Sequence, residues 1–338
     1  MNFINILNHI LRPLEWVVAQ LLTLFHHALV TFGMTAGPSP AWGIAIMCLV
    51  LVIRICLLPL FLSQMRAMQR IQVLQPQIQR IQHKYAARKD PRSKEAMQRE
   101  IMALQQRYNA NPLGSCLPSL IQAPILCSLF YTLQSLPAIA DGNAEPLGGI
   151  DHTMAGDIES SSIFGVRIAD SFGTVASPQS RIIIGVAVAL MCLTLFAIQW
   201  MLIHRNTSKD AMVSPQFRVQ KMTVFVFPAI YVVSGATLPF GVLLYWLTNN
   251  LWNLGQTLCQ LRWFPTPGSA AGEHKARRDY EQDNRRRAAA GLPSLEEERA
   301  MAAREEAKAR REREKSAASR NRKQHKTPHL AKRSIVKR

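Results

Sequence analysis

Long runs of uncharged residues constrain this chain more than any other feature. Residues 113–137 and 182–203 contain no Asp, Glu, Lys or Arg, and residues 41–62 contain only Arg54. Residues 222–261 are a further forty residues without a charge. Because roughly 20 apolar residues in a helix cross a bilayer core of about 30 Å, these runs predict an all-α membrane protein.

The runs predict five transmembrane helices. The segment 222–261 is too long for one untilted helix, and the Gly and Pro residues at 235–241 indicate a turn near its middle. It is therefore predicted to form two helices. The predicted spans are 41–62, 113–137, 182–203, 222–238 and 239–261.

Residues 1–40 are predicted to form an N-terminal extracellular region that contains an interfacial amphipathic helix. Within it, residues 13–33 are long enough to cross a membrane, but polar side chains interrupt them. These are Glu15, Gln20, His26 and His27. Such a helix lies flat in the interface with its apolar face toward the lipid. A sixth transmembrane helix is the alternative.

The charges of the loops predict the topology of a plasma-membrane protein. Residues 63–112 carry ten Lys and Arg against three acidic residues, whereas 138–181 carry two against six. Residues 204–221 carry four against one, and residues 262–338 carry 22 against 11. Cytoplasmic loops are enriched in Lys and Arg. The N-terminus and residues 138–181 are therefore predicted to lie outside the cell, and the other three segments in the cytoplasm.

Residues 63–112 have the spacing of amphipathic helices. Apolar residues such as Ile71, Leu74 and Ile78 are three or four positions apart. A break at 89–91 divides the segment into two antiparallel helices, which predicts a cytoplasmic helical hairpin. The spacing does not distinguish a spacer from a binding element.

Residues 262–338 are predicted to form a basic cytoplasmic tail. The tail is expected to be largely disordered because it lacks the apolar residues of a core, with a solvated helix at 295–315. Its charge would neutralise phosphate, either of RNA or of anionic lipid headgroups. The sequence does not choose between these partners, and no DNA partner is predicted.

Arg54 is the one charged residue within the predicted spans. It lies roughly 12 Å by helical rise from the cytoplasmic end of its span. An arginine near the centre of a lone helix costs about 2.5–3.5 kcal/mol on insertion scales. Arg54 is therefore predicted to face the bundle interior or a wet cavity. The alternative is that its side chain reaches the cytoplasmic headgroups.

Neutral polar residues in the other spans are candidates to solvate Arg54, because those spans contain no carboxylate. The candidates are Gln122, Gln199, Trp246, Asn249, Asn250, Asn253 and Gln256. The alternative use of each amide is an interhelical hydrogen bond. Together with Arg54, the set predicts a hydrophilic chamber that would attract the acidic part of a passing ligand.

Sequence motifs do not favour an enzyme. The chain lacks the spacing of a zinc protease, an α/β-hydrolase nucleophile or a phosphate-binding loop. Its six cysteines are not paired at metal-ligand spacing. No catalytic residue and no metal site are therefore predicted.

Three ordered segments resemble the YidC family of membrane protein insertases. VIRICLLPLFLSQMRAMQRIQVLQPQIQRIQHKY at 52–85 is similar to the family's first conserved span and the start of its hairpin. NPLGSCLPSLIQAPILCSLFYTL at 111–133 resembles its second span, and LPFGVLLYWLTNNLWNLGQ at 238–256 its last. Without a long extracellular domain, the sequence resembles the short form of the family found in Gram-positive bacteria, of an actinobacterial type. The resemblance departs from many short members in lacking a lipoprotein cysteine near the start.

The resemblance implies a five-helix bundle with a hydrophilic groove open to the cytoplasm and to lipid. Arg54 would be the positive residue of this groove, and Gln122, Gln199 and Trp246 would line it. The implied function is insertion and folding of nascent membrane proteins, alone or with the Sec translocase, with the ribosome bound by the tail. Neither a nucleotide nor a metal cofactor is implied.

Two other classes of protein remain open on the residues alone. One is a small anion carrier or channel in which Arg54 clamps the substrate. Inverted repeats would favour a carrier, and none is visible. The other is a membrane scaffold that recruits RNA or ribosomes through its tail, with Arg54 incidental.

Overall fold

The computed structural model describes residues 3–88, 90–108, 110, 117–209, 211–213 and 215–324. Within these residues the chain forms twelve α-helices and one two-stranded sheet. The helices are α1 (Phe3–Thr31), α2 (Pro40–Cys56), α3 (Leu58–Val73), α4 (Gln75–Tyr85), α5 (Pro91–Arg107), α6 (Leu117–Ala140), α7 (His152–Ser160), α8 (Pro178–Arg205), α9 (Pro215–Thr237), α10 (Phe240–Trp263), α11 (Ala270–Ala289) and α12 (Leu295–Gln324). The strands are β1 (Ser162–Ile163) and β2 (Val166–Arg167), which pair antiparallel. The start of the second predicted span, 113–116, lies outside the described residues.

Four helical segments are long and apolar enough to cross a membrane. They are Leu11–Thr31 in α1, Gln122–Ala140 in α6, Pro178–Arg205, which is all of α8, and Phe217–Thr237 in α9. The pair α2 and α3 meets the same test as one bent segment. The prediction of an all-α membrane protein is therefore confirmed, with four to five candidate transmembrane helices.

The helices that are long and apolar enough to cross a membrane differ from the predicted spans at the first and the last helix of the bundle in sequence. The N-terminal segment expected to lie flat passes the test of length and composition. The predicted span 239–261, now α10, does not pass it. Asparagine, glutamine and tryptophan lower the hydropathy of α10, although its first six residues are all buried.

The first predicted span, 41–62, is bent rather than straight. α2 ends at Cys56, and α3 begins at Leu58 at an angle of 53° to it. Pro59 lies in the first turn of α3, where its missing N–H needs no partner. The break therefore falls three residues after Arg54.

α1, α2, α6, α8, α9 and α10 pack into a bundle. α10 packs against α2 and α8, while α1 packs against α2 and α6. Trp42, Leu129 and Tyr245 are among the buried side chains of its main core. Gly241 is required at the start of α10, because an added Cβ would lie 2.7 Å from Cγ2 of Ile168.

The segment between α6 and α8 covers one end of the bundle, here called the loop end. It contains α7 and the β1–β2 hairpin, neither of which the sequence predicted. The main-chain N–H of Phe240 donates to the carbonyl of Asp170 (2.7 Å), and that of Gly241 donates to the carbonyl of Ile168 (2.9 Å). These bonds satisfy two of the unpaired N–H groups at the start of α10.

α4 and α5 form a helical hairpin at the opposite end, here called the hairpin end. Leu74 and Ile78 are buried against Ile101 and Leu104 of α5. The first arm breaks at Leu74, just ahead of Pro76. An ion pair joins the two arms, with Nζ of Lys84 2.9 Å from Glu100. The hydrogen bond from Lys84 lowers the pKa of Glu100 below its usual value.

Residues 274–338 form a second unit, described here by itself. Ion pairs between side chains one turn apart line its helices, as in Arg277 with Glu281 (2.9 Å) and Arg310 with Glu314 (3.1 Å). Such pairs, with alanine and arginine of high helix propensity, stabilise solvated helices. α12 includes the solvated helix predicted at 295–315, whereas α11 and the rest of α12 are helical where a largely disordered tail was expected. Residues 325–338 lie outside the described part.

Candidate functional site within the helix bundle

Arg54 lies in the last turn of α2, where the unpaired carbonyls of a helix end favour a positive charge. Its half-buried guanidinium points to α10. Nε of Arg54 donates a hydrogen bond to Oδ1 of Asn249 at 2.8 Å, and Nη2 donates to the same oxygen. Among the described residues Arg54 has no ion pair with a carboxylate. The partner of this buried cation is a neutral amide.

Tyr245 and Gln122 form a second contact beside the first. Nε2 of Gln122, on α6, donates to the hydroxyl of Tyr245 on α10. Tyr245 is 1% exposed, and it lies one helical turn before Asn249, so the two side chains share a face of α10. Arg54, Asn249, Tyr245 and Gln122 are here called the polar site. The polar site therefore joins α2, α6 and α10.

Tyr245 was not among the candidates from sequence. A buried tyrosine hydroxyl needs a hydrogen-bond partner, so its place in a membrane helix rich in amides was the available signal. Its distance from Gln122 along the chain hides the pairing.

Asn250 and Trp246 lie on a different face of α10. The hydroxyl of Tyr231, on α9, donates to Oδ1 of Asn250 at 3.4 Å, and Nδ2 of Asn250 donates to the carbonyl of Met191 on α8 at 3.5 Å. The ring of Trp246 stacks on that of Tyr231, with centroids 5.0 Å apart. These contacts hold α8, α9 and α10 together, which is the interhelical use of an amide.

Gln199 and Asn253 are half-buried on α8 and α10. Neither hydrogen-bonds to Arg54 among the described residues. The structure therefore brings Arg54, Asn249, Tyr245 and Gln122 together, and it leaves Gln199, Trp246, Asn250 and Asn253 outside this contact.

The polar site is suited to binding an anion. A guanidinium presents N–H groups in a fork that matches both oxygens of a carboxylate, and a carboxylate adds the attraction of the opposite charge. A carboxylate can therefore compete with the amide of Asn249. In the described residues no group of three or more His, Cys, Asp or Glu side chains could hold a metal ion.

Comparison with known proteins identifies the family to which the chain belongs. The family model described as 60Kd inner membrane protein matches residues 34–266. A membrane protein insertase YidC of Bifidobacterium longum is 44% identical over 306 residues, which are 90% of each chain. The chain belongs to the YidC family of membrane protein insertases, as the resemblance predicted.

Two further relatives carry the same name. The YidC of Streptomyces avermitilis is 34% identical over 79% of this chain and 61% of its own. That of Tropheryma whipplei (strain Twist) is 30% identical over 81% of this chain and 90% of its own. These homologues and the apolar helices indicate a membrane protein insertase that crosses the cell membrane several times.

Proposed function

We propose that this protein inserts nascent membrane proteins by holding the hydrophilic segment of a client in a groove beside Arg54. One observation carries the proposal. Arg54 is a half-buried cation inside the bundle, and its partner among the described residues is the neutral amide of Asn249. An acidic side chain of a client would be a stronger acceptor than that amide.

The driving force is the transfer of the client's apolar helix from water into lipid. The groove lowers the cost of moving the attached hydrophilic segment, because it supplies polar partners inside the bilayer. Arg54 adds attraction for acidic segments, and the membrane potential acts on them in the same direction. A side of α8 with exposed apolar residues is the path along which the client helix leaves, and Ile182, Val186 and Leu193 lie on it.

The proposed orientation follows from the loop charges. The N-terminus and the loop end face outward, and the hairpin end and the second unit lie in the cytoplasm. The second unit binds the ribosome through its excess of basic residues, and anionic lipids attract it by the same charge. The Sec translocase is a further proposed partner. The proposed groove residues are those of the polar site together with Gln199, Trp246, Asn250 and Asn253.

The test uses two clients whose translocated segments differ only by acidic residues against their amides. Arg54→Ala should slow insertion of the acidic client by about tenfold, the equivalent of one lost charge-assisted hydrogen bond, and should spare the neutral client. Arg66→Ala is the matched control, because Arg66 is exposed on α3. Insertion is measured by protease protection in proteoliposomes.

Photocrosslinking from positions 54, 199 and 246 to ribosome-tethered clients of increasing length gives a second measurement. Crosslinks should form as the first apolar helix emerges and disappear at greater lengths. Equal insertion of both clients by Arg54→Ala, or no crosslink at any length from a folded protein, would contradict the proposal. A small anion that protects Arg54 from modification would instead favour a carrier.

A further inference from the structure

A second polar feature lies at the hairpin end of the bundle, away from Arg54. It is a cavity of about 300 Å³ between α3, α4, α8, α9 and α10. Its floor includes Met68, Leu202 and Phe217. Five amide side chains also line it, namely Gln72, Gln75, Asn206, Gln220 and Gln260.

The chemistry of this lining is unusual for a site near so many basic residues. None of the lining residues is charged. Each amide side chain offers both donors and an acceptor, so the lining presents the same groups as a polypeptide main chain. A ligand with alternating N–H and C=O groups matches both kinds of group at once.

Gln72 of the lining carries an unsatisfied acceptor. Its Oε1 atom is buried and has no hydrogen-bond partner among the described residues. A buried acceptor without a donor is unfavourable, and such atoms in proteins are normally satisfied. The cavity itself, at about 300 Å³, is much larger than one water molecule requires.

Neighbouring amides already bind main-chain groups of a non-helical segment in this structure. Nε2 of Gln69 donates to the carbonyls of Phe264 (2.6 Å) and Pro265 (3.2 Å). The N–H of Thr266 donates to Oδ1 of Asn206 at 2.9 Å, and Asn206 also lines the cavity. Residues 264–266 are not helical. The chain thus shows how a glutamine or asparagine at this position holds a polypeptide segment.

We propose that the cavity binds the extended main chain of a client's hydrophilic segment, independent of its sequence, before that segment reaches Arg54. This inference rests on the proposed insertase function and deepens it. Gln260 and Asn249 both lie on α10, about 16 Å apart by helical rise. Roughly five extended residues span that distance, so one short segment can contact both sites.

The two sites differ in what they recognise, and this difference sets the experiment. The cavity binds the main chain, so removal of its amide side chains should slow insertion of acidic and neutral clients alike. Removal of the Arg54 side chain should slow insertion of acidic clients only. The double variant Gln72→Leu/Gln220→Leu keeps the side-chain size and removes the main-chain partners. We expect insertion of both clients to slow by roughly three- to tenfold, as for one or two neutral hydrogen bonds.

Gln77→Leu is the matched control, because Gln77 is exposed on α4 and should leave insertion unchanged. A photocrosslinker at position 260 should capture the client at shorter nascent-chain lengths than one at position 54. Both measurements are made on full-length protein in proteoliposomes, and a melting temperature in detergent shows that each variant is folded.

Three outcomes would overturn the inference. The double variant inserts both clients at the normal rate, it slows only the acidic client, or position 260 captures no client while position 54 does. The first result would identify the cavity as a water-filled space. Failure of crosslinks at both 54 and 260 would refute the proposed insertase function itself.

Discussion

Asn249→Asp tests the chemistry of the polar site most directly. The substitution keeps the size of the side chain and the oxygen that accepts from Arg54, and it adds a negative charge. We expect a fixed ion pair to occupy the N–H groups that a client carboxylate would use. Insertion of clients with acidic segments should fall, and insertion of neutral clients should not change.

The geometry sets the magnitude. Nε of Arg54 and Oδ1 of Asn249 are 2.8 Å apart, so the new carboxylate forms a charge-assisted hydrogen bond. Opposite charges about 4 Å apart attract by roughly 4 kcal/mol at an effective dielectric constant of 20. Desolvation of the carboxylate offsets part of this, and about 1.5–3 kcal/mol is the usual net value. Because about 1.4 kcal/mol is tenfold, the acidic client should insert at least about tenfold more slowly.

The assay is client insertion into proteoliposomes, with a double-mutant cycle as the control. Asn249→Gln retains a neutral amide and should keep most of the activity. When Arg54 is replaced by alanine, Asn249→Asp should not slow insertion further, because the proposed effect of the new carboxylate depends on its ion pair with the guanidinium. The reasoning is refuted if Asn249→Asp slows both clients equally, or if its effect persists in the absence of Arg54.

Two further predictions concern the fold and the second unit. Gly241→Ala should lower the melting temperature in detergent, because its Cβ would lie 2.7 Å from Ile168; the free energy of unfolding should fall by about 1–3 kcal/mol. Gly255→Ala is the control, because its Cβ would have nothing within 4 Å. Equal melting temperatures of the two variants would contradict this packing. Truncation after Glu273 removes the second unit but keeps Thr266 and Ser269, both 1% exposed. The truncated chain should fold normally and lose salt-dependent co-sedimentation with ribosomes, and undiminished binding at low salt would argue against the tail as a ribosome contact.

Uncharged runs were sufficient to predict the helical class and the special position of Arg54, and the resemblance of residues 52–85, 111–133 and 238–256 predicted the family. They could not predict the bend after Arg54, because Pro59 is equally compatible with the interior of a kinked helix. The helix α7 and the β1–β2 hairpin were also missed. Their short, mixed sequence has no clear periodicity, and the main-chain bonds from the start of α10 reach Ile168 and Asp170 just after β2.

The polar site was predicted in part, because composition indicates which helices carry amides but not how they are rotated. Asn249 and Asn250 are adjacent in sequence, and they point to different neighbours. Asn249 accepts hydrogen bonds from Arg54, while Asn250 bonds to α8 and α9. The rotation of α10 that separates them is fixed by packing of its buried first turns, and a spacing of residues does not report it.

The composition of α10 also bears on how this protein is made. It is among the most buried helices of the bundle, yet it is not apolar enough by itself to pass as a membrane span. Asn249 and Asn250 would be unfavourable against lipid alone and are stabilised by partners on α2, α8 and α9. Since α2, α6 and α8 precede it in the chain, its partners have been synthesised when α10 leaves the ribosome. We therefore expect α10 to enter the membrane after the helices that supply its polar partners.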